Sequence, residues 1–181
     1  MKALKLSTAF ITIIFILLSP ATKADNQDSF ITQSTPFILI EDINRQGEAW
    51  ATCSAALEIA SQMQAENSPA VSKQLNQLSN GSALAVMMSS IADKLNTDIT
   101  PAEWASLWDY SKVLMESLPD IQQTAILAKL EIAKASKDKK EIEVWFDRLG
   151  KTIEICASNG EGQQMYVDMW RELAKTMPRS E

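Results

Sequence analysis

No histidine occurs anywhere in the 181 residues. That excludes Ser-His-Asp and Cys-His nucleophile systems, histidine-ligated metals and imidazole acid–base chemistry. Cysteine is scarce too: Cys53 and Cys156 stand alone, and neither forms a C-x-x-C redox pair. The five glycines and six prolines are too dispersed for a flexible or stiff linker. No phosphate loop, dinucleotide fingerprint or EF-hand spacing occurs. Asn159-Gly160-Glu161-Gly162 follows a helical stretch rather than a strand, and a helix terminator accounts for it. The inventory calls for no cofactor and no metal.

One long apolar run exists, at the N-terminus, and it is shorter than the about 20 residues that a membrane span needs. Residues 1–24 read as a secretory signal. Lys2 and Lys5 precede an apolar core from Ala9 to Leu18, Pro20 breaks it, and Thr22 and Ala24 form a cleavage site, with Ala21 as the competing position. No cysteine follows the run, so a lipid anchor is not indicated, and no integral membrane segment is expected after cleavage. The leader holds three of the 17 basic residues and no acid, so the mature chain has nine more acids than bases. That balance disfavours nucleic acid and anionic membranes as partners.

The expected location is the periplasm or outside the cell. In an oxidising compartment, a Cys53–Cys156 disulfide is the first reading; two free thiols or an intermolecular bridge are the alternatives. The bridge would close a loop of 103 residues, on the order of 4–5 kcal/mol in the chain-entropy model. It also requires Cα atoms within about 7 Å. The first long helix must then pack against one near the end of the chain, which excludes an open solenoid.

Past the leader, residues 25–43 read as a polar segment with a short apolar strap. Asp25 to Thr35 is expected to be disordered or loosely attached. Phe37 to Ile40, behind Pro36, is either extended or a first helical turn. Residues 44–177 form the helical domain. From about Gly47, Trp50, Cys53, Leu57 and Ala60 make one stripe, and the surrounding alanines permit close helix contact. Pro69 opens a second helix whose stripe stays in phase through Asn80-Gly81, so one long helix with a close contact or kink at Gly81 is predicted. Thr100-Pro101-Ala102-Glu103 is a capping box with proline at the first position. Trp104, Leu107, Trp108, Ser111, Met115 and Leu118 follow on one face. Pro119 is read as the start of a fourth helix, with Ile121, Ala125, Ala128 and Ile132 in line. Asp138 and Glu141 suggest a capping box for the fifth, which carries the stripe Ile142, Trp145, Phe146, Leu149, Ile153 and Cys156. A left-handed stop at Asn159-Gly160 and a five-residue turn would lead into an antiparallel sixth helix from about Gln163. The expected fold is a compact all-α bundle or orthogonal array of about six helices, stapled by one disulfide.

Five residues are candidates for a binding surface: Trp104 and Trp108, one turn apart, and Tyr166, Trp170 and Arg171 near the end. Aromatics and arginine are favoured at interaction hot spots. Their spacing equally suits core positions, and burial of Tyr166 and Trp170 is the expectation here. Methionines 63, 87, 88, 115, 165, 169 and 177 fit core filling more readily than an adaptable groove. Glu116-Ser117 resembles the Glu-Ser pair of lytic transglycosylases, but that family's downstream motifs are absent. Both residues are expected at a helix end before Pro119. No catalytic residue is assigned. The leading expectation is a non-catalytic exported protein that binds another envelope protein, as an accessory, inhibitor or immunity-type partner. A carrier or chaperone with an apolar groove for peptide or lipid comes second, and a carboxylate-dependent cell-wall hydrolase third.

Overall fold

The computed structural model describes residues 29–176 apart from Gln33 and Asn96; the segment read as a leader, Asp25 to Asp28 of the polar stretch, and Met177 lie outside the described residues. Every regular element among the described residues is helical. A 3-10 turn at Phe37–Leu39 precedes α1 (Ile43–Gln64), α2 (Pro69–Ala92), α3 (Pro101–Ala135), α4 (Lys139–Ser158) and α5 (Gly160–Thr176).

Most helix starts follow local chemistry. The Asp42 carboxylate accepts the amides of Asn44 (2.9 Å) and Arg45 (3.3 Å), satisfying donors that α1 leaves open. Thr100 and Glu103 form the predicted reciprocal box: Thr100 Oγ1 accepts the Glu103 amide, and the Glu103 carboxylate accepts the Thr100 amide at 2.7 Å. Asp138 caps α4 through the Lys140 amide at 2.9 Å, and Glu141 makes no return bond. α2 runs unbroken through Asn80-Gly81.

Among the described residues five α-helices form where about six were expected, because Pro119 lies inside α3 and does not start a new helix. An interior proline forfeits one backbone bond and costs about 3 kcal/mol. α3 bears this because it bridges two core clusters. Its first half lays Trp104, Trp108, Met115 and Leu118 on one, and its second half sends Ile126 and Leu130 into the other.

The passage from α4 to α5 also differs from expectation. Asn159 alone separates the helices, with φ −96° and ψ 12°, so neither a left-handed stop nor a five-residue turn is used. The left-handed residue is Lys137, at φ 59°, just after α3. α5 begins at Gly160 and lies mainly on α2 instead of doubling back along α4. Gln163 Nε2 donates to the Leu78 carbonyl and to Ser82 Oγ, both at 2.8 Å. Gly81 makes room for it: a Cβ there would come within 2.9 Å of the Gln163 side chain.

α1 and α2 are antiparallel neighbours, with Ser54 opposite Ser79 and Ser61 opposite Ser72, each hydroxyl pair 3.1 Å apart. Small residues line this seam, and Ser54, Ser61 and Ser79 are buried in it. The Cys53–Cys156 disulfide ties α1 to the end of α4 with Cα atoms 5.6 Å apart, as the spacing of the two stripes demanded.

The described part of the segment before α1 is anchored at Phe30 and Phe37, and at Phe30 this departs from the expectation of a loose stretch. Phe30 is buried in the second cluster, edge-on to Trp145 at 6.3 Å, with the Arg148 and Lys129 cations over its ring at 4.8 and 5.6 Å. Phe37 is buried against Trp50, ring centroids 4.8 Å apart. Polar bonds fix the backbone of that turn. The Phe37 amide donates to Asn159 Oδ1 (2.7 Å), Gln46 Nε2 donates to the Phe37 carbonyl (2.7 Å), and the Tyr166 hydroxyl donates to Gln46 Oε1 (2.9 Å).

Candidate functional site

The five residues singled out from the sequence do not form one surface. Trp104 and Trp108 are half-buried on the inner side of α3, ring centroids 6.3 Å apart, and pack on the first core cluster. Tyr166 is buried as expected: its ring lies edge-on to Trp50 and its hydroxyl serves the clamp on Phe37. Burial raises its pKa above the ordinary 10.0. Trp170 is 37% exposed, which overturns the expectation that it is packed inside. The two part company because Tyr166 sits over Trp50, whereas Trp170 lies a turn nearer the free end of α5.

Trp170 and Arg171 line an open concavity of about 440 Å³ with Asp168, Glu172, Ala174 and Lys175. Its cations are already matched within the helix: Arg171 Nη1 meets Asp168 Oδ1 at 2.7 Å, and Lys175 Nζ meets Glu172 Oε1 at 2.6 Å. Such exposed pairs leave no concentrated charge to attract an ionic ligand.

A larger cleft, about 930 Å³, opens between the anchored N-terminal segment, the first half of α1 and the middle of α3. Phe30, Phe37, Ile40, Ile121 and Ala125 supply its apolar wall, and Asp42, Arg45 and Glu48 its charges. Arg45 leans toward Asp42, 3.9 Å away, and is largely exposed. The mixture suits a peptide-like ligand better than a small ion.

From the rim of this cleft an apolar face runs along α3. Tyr110, Val113, Ile121 and Ile132 are each more than half exposed. Ser117, Thr124 and Ala128 lie between them at three- and four-residue steps, so the strip carries no charge from Tyr110 to Ala128; at its end Glu131, paired with Lys134 at 2.8 Å, stands beside Ile132. The line Ile121, Ala125, Ala128, Ile132 read from the sequence thus faces largely outward, and the second half of α3 buries Ile126 and Ala133 instead. Asp109, Glu116 and Asp120 border the strip on one margin, and no ion pair engages them among the described residues.

Both cysteines are in the disulfide. Glu116-Ser117 sits inside α3 and not at a helix end, and the Ser117 hydroxyl donates to the Val113 carbonyl at 2.7 Å. No group of three or more acidic or cysteine side chains that could hold a metal occurs among the described residues. Trp50 Nε1, Ser111 Oγ and Thr152 Oγ1 are buried without a hydrogen-bond partner, and none of them lines the cleft or the concavity. Methionines 63 and 165 are exposed, whereas Met87 and Met88 fill the core. Phe146, read as part of the buried stripe of α4, is exposed.

Comparison with protein-family models, with curated proteins and with solved structures gives no match to this chain.

Proposed function

We propose that this is an exported, non-catalytic protein that works by binding another protein of the cell envelope, as an accessory, inhibitor or immunity-type partner. The outer face of α3 carries that reading. Single exposed apolar side chains are ordinary, but a strip free of charge from Tyr110 to Ala128 on one helix face supports reading it as an interaction site. A disulfide across the core and the absence, among the described residues, of a helix long and apolar enough to span a bilayer are compatible with a place outside the cytoplasm.

The test compares the tagged, exported chain with its Val113→Asp and Ile121→Asp variants in cross-linking and affinity recovery from the cell envelope. Both positions are exposed, so both variants should melt with the parent. A specific partner retained by the parent and lost from both variants is expected. Equal retention by all three chains refutes α3 as the binding face.

The cleft supports a second reading, a carrier or chaperone for an apolar peptide or lipid. Its volume exceeds the roughly 300 Å³ lower range of ligand pockets. Ala125→Trp, which fills the cleft, should abolish uptake of a fluorescent lipid or apolar peptide if this reading holds; uptake that survives the substitution refutes it.

A further inference from the structure

We infer that the outer face of α3 receives a basic amphipathic helix of the partner protein. This deepens the proposed binding function and rests on it. Three features define the occupant: the shape of the face, the chemistry of its backbone and the sign of its margins.

From Tyr110 to Ile132 the strip is about 33 Å long, at the helical rise per residue. It is narrow, because its members recur at three- and four-residue steps on one helix. The apolar stripe of another helix has this same form, and two such stripes interlock ridge into groove. An extended peptide gains its affinity from an open backbone edge, which the interior of a helix does not offer.

Charge sets the sign of the partner. Asp109, Glu116 and Asp120 form an acidic row along one margin, with no ion pair among the described residues; Lys112 stands farther round the helix. Toward the other side, where Ile121 meets the cleft, the charges are mixed: Asp42, Arg45 and Glu48 line the cleft, and Lys129 lies over the Phe30 ring. Lysine or arginine flanking the partner's apolar stripe would answer the acidic row of Asp109, Glu116 and Asp120. A second copy of the chain is a poor occupant. An antiparallel pair about a two-fold axis sets each margin against its own equivalent, acid against acid. Anionic lipid is repelled for the same reason.

The experiment uses the disulfide-intact mature chain and three labelled 22-residue peptides, followed by fluorescence anisotropy. The first places leucine on one helical face with lysine on both flanks. The second keeps its composition in scrambled order. The third keeps the leucine face but has glutamate flanks. Only the first should bind. Glu116→Lys/Asp120→Lys should weaken it about tenfold, two exposed attractions having become repulsions, and Val113→Asp and Ile121→Asp should each weaken it by about tenfold or more. Circular dichroism melting checks that each variant is folded. Equal binding of the scrambled peptide overturns the inference, because charge alone would suffice. Equal binding of the glutamate peptide, or no binding at all, overturns it as well. Self-association of the chain that Val113→Asp abolishes would make a second copy the occupant and also overturn it. The two readings fail separately. An envelope partner lost on Val113→Asp but indifferent to Glu116→Lys/Asp120→Lys leaves the binding function standing and removes the basic helix.

Discussion

Replacing Asn159 by alanine probes how the N-terminal segment is held. Asn159 is buried at the α4–α5 junction, where its Oδ1 accepts the Phe37 amide at 2.7 Å and its Nδ2 donates to the Ile155 carbonyl at 2.9 Å. In Asn159→Ala the Phe37 amide stays buried, since Phe37 is 1% exposed, but has no acceptor. An unsatisfied buried donor costs about 1–3 kcal/mol. For a domain of this length that corresponds to a fall in Tm of about 2–4 °C per kcal/mol, so roughly 4–8 °C at the middle of the range. Urea unfolding followed by circular dichroism measures the loss. Gln46→Ala releases the other end of the same turn by removing the bond to the Phe37 carbonyl. Once either amide is gone the turn can lift and find water, so the double variant should lose less than the two single losses added. A cost below about 0.5 kcal/mol for Asn159→Ala, or strict additivity with Gln46→Ala, would refute the clamp.

Reduction of Cys53–Cys156 should lower stability by about 4–5 kcal/mol for its 103-residue separation, with helix content partly kept; two titratable thiols in the denatured, unreduced protein would contradict the bridge. Gly150 is exposed on α4 with open space where a Cβ would lie, so Gly150→Ala should raise stability by about 1 kcal/mol in chemical denaturation. At Gly81 the same change meets Gln163, so the gain of about 1 kcal/mol should appear in a Gln163→Ala background and be offset in the parent, where two hydrogen bonds are disturbed. Burial raises the Tyr166 pKa in the folded chain, so its contribution is intact below pH 10.0 and declines as pH rises from there through the raised folded value. Tyr166→Phe should remove that part of the alkaline loss, and at neutral pH should cost about 1 kcal/mol for the hydrogen bond to Gln46.

Local chemistry made much of the fold legible. The capping box at Thr100 and Glu103, the N-terminal proline of α2 and the unbroken phase of α2 through Gly81 all depend on residues within a few positions of one another. The disulfide was legible for a different reason: two cysteines on apolar stripes, in a chain read from its sequence as exported, have one intramolecular pairing, and that pairing dictates which helices meet. Pro119 misled because proline at the first turn of a helix and proline inside one have the same local signature. Only the presence of core on both sides of it decides between them. The anchoring of Phe30 was hidden in a polar stretch, since its partners Ile126, Trp145 and Leu149 are about a hundred residues away. Asn159 looked like a helix terminator, and nothing nearby shows that its side chain holds Phe37.

The candidate surface divides the same way. Periodicity shows which residues share a helix face, and by itself it established that this chain is built of amphipathic helices. It cannot say which face turns inward when a helix carries apolar residues on two. On α3, Trp104, Trp108 and Ile126 lie on one side and Tyr110, Val113, Ile121 and Ile132 on another. The tertiary structure made that choice. A helix bridging two core clusters buries the side that reaches both, and its second apolar face is left to solvent.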